Sequence, residues 1–121
     1  MSSVVVVGPA GLTIEEVVRM AEGTASPELS QEPAYRAFVA QGAEHLARRF
    51  AAGDVVYGVN TGFGDSCETA VPIEHALAMP VNLMRFHGCG TGRILDEVEA
   101  GAVVAVRLAA LARGWSGVRV E

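Results

Sequence analysis

The chain has 121 residues, enough for one domain, and half of them are hydrophobic, which excludes an intrinsically disordered segment. A formal net charge of -5 argues against a nucleic-acid-binding surface. The two cysteines, Cys67 and Cys89, are too few and wrongly spaced for a disulfide scaffold or a zinc site, so a reduced, cytoplasmic setting without a metal is expected.

Met1-Ser2-Ser3 carries no basic residue, so the valine run behind it does not read as a signal-peptide core. Val4 to Val7, flanked by Ser and Gly, reads as a short buried strand. Gly8-Pro9-Ala10-Gly11 is a turn. Thr13 and Glu16 have capping-box spacing, which predicts a helix from about Ile14 to about Gly23. Thr24 to Ser30 reads as a polar loop. A longer helix is expected from Glu32 or Pro33 to Ala52, with Tyr35, Phe38, Val39, Leu46 and Phe50 as its apolar stripe and Gly53 as its stop.

After a glycine-rich stretch, Pro72 opens another helical pattern, with Ile73, Leu77, Val81, Met84 and His87 on one side. Pro80 should kink or divide it. Asp96 caps the last helix, with Glu97 and Glu99 in its first turn. From Ala100 to Ala112 that helix is apolar on nearly every face, which suits the inside of a larger body or a partner surface. Arg107 interrupts the tract, which is too short to span a membrane. The expected fold is therefore mainly α-helical, with one short N-terminal strand and glycine-rich loops.

The chemistry concentrates in Tyr57-Gly58-Val59-Asn60-Thr61-Gly62-Phe63-Gly64. Three glycines in eight residues permit a tight backbone. Tyr57 brings a phenol that can give or take a proton, although at its ordinary pKa of about 10 it is a weak base at neutral pH. Asn60 offers a carbonyl and an amide to a ligand; the other reading is a turn residue bonding its own backbone. A second cluster follows in Phe86-His87-Gly88-Cys89-Gly90-Thr91-Gly92. His45 and His75 read as surface histidines, Cys89 as an inert small residue, and Arg107 as a structural residue at an interface.

Val4 to Gly11 has the look of a dinucleotide-binding start, but Pro9 and Ala10 break the glycine spacing. No second strand is expected to complete a βαβ unit. The second glycine cluster fails the same spacing at Arg93.

The two glycine clusters, Asn82-Leu83 between them, and the closing Arg107-Leu108-Ala109 and Gly114-Trp115-Ser116-Gly117-Val118-Arg119 resemble the N-terminal part of the aromatic amino acid ammonia-lyase and 2,3-aminomutase family. The resemblance implies a helical fold and a role for Tyr57 in proton transfer at the substrate side chain. It implies substrate contacts from Asn60, Phe86 and His87, with Gly58, Gly62 and Gly64 shaping the loop. Family enzymes act on aromatic amino acids with an electrophile, 4-methylidene-imidazol-5-one, made from an internal Ala-Ser-Gly. This chain has no Ala-Ser-Gly, and Ala25-Ser26 is followed by Pro27. The group is therefore expected on a larger partner chain, in a hetero-oligomer with the family's tetrameric core. Residues 1–121 would be a small subunit or N-terminal fragment, incomplete without that partner and an enzyme only when assembled. The alternative is a non-catalytic interaction subunit derived from the family. The choice between lyase and aminomutase stays open.

Overall fold

The computed structural model describes residues 3–120, so Met1 and Ser2, part of the signal-peptide argument, lie outside the described residues. The elements are β1 (Ser3–Val7), α1 (Ile14–Ala21), β2 (Ala25–Leu29), α2 (Pro33–Ala51), a single helical turn Gly64–Ser66, α3 (Ile73–Ala76), α4 (Met79–His87) and α5 (Glu97–Ala112). They form two compact bodies. One holds the described residues up to His45 together with those from Ile94 onward, and the other is Leu46–Arg93.

In the first body β1 and β2 pair in parallel, with Val5 opposite Pro27 and Val7 opposite Leu29. Two expectations are corrected here. Thr24 to Ser30 is not merely a polar loop, because Ala25–Leu29 is a strand. A β1-α1-β2 unit therefore exists, although its glycine spacing is still not that of a dinucleotide site. The strand has no sequence signature, because only Ala25 is buried and Leu29 half-buried, which leaves no alternating apolar pattern. Pro27 is tolerated because β2 is an edge strand, where a missing N–H costs no ladder bond on its open side. The valine run is likewise half-buried rather than buried: Val5 and Val7 face inward, whereas Val4 and Val6 are exposed.

α1 starts as its capping box dictates. Thr13 Oγ1 accepts from the Glu16 N–H at 3.2 Å, and Glu16 Oε2 accepts from the Thr13 N–H at 2.8 Å. It ends on Gly23 at φ +70°, with Thr24 N–H returning to the Arg19 carbonyl. α5 packs on α1 and touches β1, and it carries a second capping box between Asp96 and Glu99. The approach is close: a Cβ on Gly101 would lie 3.0 Å from Ala21 Cα. On α2, Tyr35 and Val39 are buried, and the Tyr35 hydroxyl donates to the Ala112 carbonyl at 2.7 Å. The chain after α5 then crosses α2. Gly114 lies under Phe38 and Val39, and Trp115 meets Phe38 edge-on at 5.5 Å. Val98, Val103, Val104 and Val106 of α5 remain exposed in this chain. None of the described helices is long and apolar enough to cross a membrane.

In the second body α2 ends at Gly53, whose φ of +79° lets Asp54 N–H return to the Arg49 carbonyl. An Arg49–Asp54 ion pair reinforces that end. Pro80 divides the next helical pattern as expected: α3 stops at Ala76 and α4 starts at Met79, with the proline in its first turn. Ile73, Leu77, Val81 and Met84, the anticipated apolar side, are all exposed.

Candidate active site

The second body carries every residue singled out from the two glycine clusters, and the loop between Asp54 and Val71 is closed on itself. Val71 N–H donates to the Asn60 carbonyl at 2.9 Å and Gly62 N–H to the Thr69 carbonyl at 3.0 Å. Thr61 faces Ala70 in an isolated antiparallel bridge and is 2% exposed. The glycines are required by contact and by conformation. Gly58 has φ +72°, a region costly for any residue with a Cβ, and a Cβ there would lie 3.1 Å from the Phe63 ring. A Cβ on Gly62 would lie 2.5 Å from the Ser66 carbonyl oxygen. Gly64, at φ +57°, opens the single helical turn.

Tyr57 rises from this loop and is 64% exposed. Its phenolic oxygen accepts from the Gly64 N–H at 3.3 Å. Its ring meets Phe63 edge-on, with centroids 6.3 Å apart and planes at 82°. Phe63 in turn meets His87 at 6.3 Å and 74°, and His87 lies 4.8 Å from the Phe86 ring. Four rings thus run in sequence, Tyr57, Phe63, His87, Phe86, and join the two glycine clusters. His87 is the last residue of α4, and Cys89 beyond it donates its thiol to the Phe86 carbonyl at 3.2 Å.

Beside these rings lies an open recess of about 290 Å³, lined by Gly62, Phe63, Gly64, Ser66, Met79, Phe86 and His87. Tyr57 stands next to it, on Phe63. Ring faces and a few polar groups suit a flat, ring-bearing side chain. Asn60 is engaged elsewhere: its Oδ1 accepts from the Val56 N–H at 2.7 Å and its Nδ2 donates to the Asp54 carbonyl at 2.8 Å. Sequence reasoning assigned no role to Phe63, Ser66 or Met79. Phe63 could have been suspected as the only side chain flanked by Gly62 and Gly64; Ser66 and Met79 carry no comparable signal.

A family model described as aromatic amino acid lyase matches residues 12–121. The chain belongs to the aromatic amino acid lyase family. Histidine ammonia-lyase of Myxococcus xanthus is 38% identical over 111 residues, which are 91% of this chain and 21% of that protein. Among solved structures, tyrosine aminomutase from Streptomyces globisporus superposes with a TM-score of 0.85 at 35% identity, over 95% of this chain and 22% of that one. Phenylalanine aminomutase from Pantoea agglomerans does so with a TM-score of 0.78 at 26% identity, over 93% of this chain and 21% of that one. This family member therefore spans about a fifth of the length of the relatives it matches and corresponds to the N-terminal part of the lyase fold.

Proposed function

We propose that this chain supplies the proton-transfer tyrosine and part of the ring-binding wall of an aromatic amino acid ammonia-lyase or 2,3-aminomutase. The observation that carries the reading is the Gly64 N–H on the Tyr57 phenolic oxygen, within the loop that resembles the family's. That donor and the Phe63 edge against the ring hold the hydroxyl in a defined position, which a proton-transfer group requires. Tyr57 would hold the proton exchanged at the substrate's β-carbon. Phe63, Phe86 and His87 would receive the aromatic side chain in the recess, with the His87 imidazole as its polar end. Relatives named for histidine, tyrosine and phenylalanine all handle ring-bearing amino acids, which supports that substrate class.

The family's 4-methylidene-imidazol-5-one group, when present, supplies an electrophile for the substrate amine. This chain's residues do not form it. No Ala-Ser-Gly occurs, and Ala25-Ser26-Pro27 is held extended in β2, with a proline where an amide is needed. What they fit is a site beside such a group. We assign the group to a larger ammonia-lyase-like partner chain in a cytoplasmic hetero-oligomer with a tetrameric core. The exposed valines of α5, and separately the exposed apolar residues of α3 and α4, support a partner, since exposed apolar helix faces are what interaction sites cover.

The test is co-expression of the full chain with candidate partners carrying Ala-Ser-Gly, followed by co-purification and assays for arylacrylate and β-amino acid. The proposal expects activity in the complex and none from the chain alone. A stable, active monomer contradicts it. A complex whose activity is indifferent to Tyr57 favours a non-catalytic interaction subunit instead.

A further inference from the structure

We infer that Asn60, together with Thr61, is a positioning residue that locks the backbone on both sides of Tyr57, and is not a substrate contact. The inference rests on the reading of Tyr57 as the proton-transfer group. Its basis is the pairing pattern. The N–H before Tyr57, that of Val56, donates to Asn60 Oδ1 at 2.7 Å, and the N–H after it, that of Gly58, donates to Thr61 Oγ1 at 3.0 Å. The residues on either side of the phenol are thus held by consecutive side chains.

Each side chain also holds a second point. Asn60 Nδ2 donates to the Asp54 carbonyl at 2.8 Å, and Asp54 is tied to α2 through Arg49 by an ion pair and by its own N–H. The Thr61 hydroxyl donates to the Gly62 carbonyl at 2.8 Å. The Asn60 carbonyl takes the Val71 N–H, so this one residue joins the start of the loop to its end. An amide suits the position because it presents an acceptor and a donor on separate atoms of one planar group; an ionised carboxylate offers acceptors only. A ligand seeking the Asn60 carboxamide would compete with two short bonds in a half-buried setting. Tyr57 itself is largely exposed, so its direction rests on the backbone together with the Gly64 N–H on its oxygen and the Phe63 edge.

Residue-resolved amide hydrogen exchange on the full chain, in the assembly it purifies with, tests the clamp without any assay of activity. Asn60→Ala should speed exchange of the Val56 amide by about tenfold, the scale of one net hydrogen bond, and Thr61→Val should do the same at Gly58. Asn60→Asp retains an acceptor for Val56 and should restore much of its protection. Amides of Val39 and Ala105, buried in α2 and α5, should not change. In the active complex Asn60→Ala should lower kcat and leave KM for the amino acid near its original value. Exchange at Val56 and Gly58 that matches wild type overturns the inference. So does loss of protection throughout the chain, or a rise in KM with kcat preserved, the mark of a substrate contact. If Tyr57→Phe leaves turnover intact while the exchange results hold, the clamp stands and the reading of Tyr57 falls.

Discussion

The Gly64 N–H donates to the phenolic oxygen of Tyr57 at 3.3 Å, across seven residues of one closed loop. The bond depends on where the turn Gly64–Ser66 sits, and Gly62 decides that, because its bare Cα lies against Ser66. The glycines of the loop therefore have separable roles. Gly58 supplies a left-handed conformation, Gly62 a close approach, and Gly64 both a left-handed conformation and the donor.

Gly62→Ala should cut turnover of the assembled enzyme by about 10- to 100-fold with Tyr57 still present, since small misplacements of a reacting group cost on that scale. The new methyl would stand 2.5 Å from the Ser66 carbonyl oxygen and 2.7 Å from its Cβ, so the turn must move. Steady-state kinetics with circular dichroism as a folding control checks this. Wild-type turnover would mean that the turn yields without disturbing Tyr57.

Phe86→His should shift preference from phenylalanine toward tyrosine. Phe86 lines the recess and offers no partner to a phenolic hydroxyl, whereas an imidazole does. Leaving a buried polar group unpaired costs about 1–3 kcal/mol, enough for roughly a tenfold change in relative kcat/KM. Competition between the two amino acids in the complete complex measures it, and an unchanged ratio removes Phe86 from the substrate's surroundings.

Tyr35→Phe should destabilise the chain by about 1–3 kcal/mol, because it leaves the Ala112 carbonyl without the hydroxyl it accepts from in a buried site. The effect should also depend on pH. Burial pushes the Tyr35 phenol above its ordinary value, against a smaller opposing pull from Arg36. The folded state then keeps a proton that the unfolded chain releases above a pH of about 10. This contribution is complete below that value and declines as pH rises beyond it. Denaturant titrations from neutral to strongly alkaline pH should show the gap between wild type and Tyr35→Phe closing at the alkaline end. A gap that widens there reverses the sign and rejects the assignment.

Much of the helical frame was legible in the sequence because it is fixed by local chemistry. Thr13 with Glu16 and Asp96 with Glu99 mark two helix starts, Gly23 and Gly53 mark two ends, and Pro80 divides a third pattern. β2 was not legible, since its pairing with β1 is non-local and its residues are mostly exposed. Four consecutive valines could not reveal that Val4 and Val6 face outward, because alternation is invisible in a uniform run. At the site, Tyr57 and His87 stood out by residue type and setting. That Phe63 would join them, and that the Asn60 carboxamide would turn back to Asp54 and Val56, are properties of the closed loop rather than of any local pattern.

Turnover of Tyr57→Phe in the complex with the Ala-Ser-Gly-bearing chain bears most directly on the proposed role. The substitution keeps the ring and its edge-on contact with Phe63 and removes only the hydroxyl that accepts from Gly64. Complex mass should match wild type, and turnover should fall by about 10²- to 10⁴-fold, the usual cost of losing a positioned general base. An intact complex that turns over aromatic amino acids at a near wild-type rate would contradict Tyr57 as the proton-transfer group.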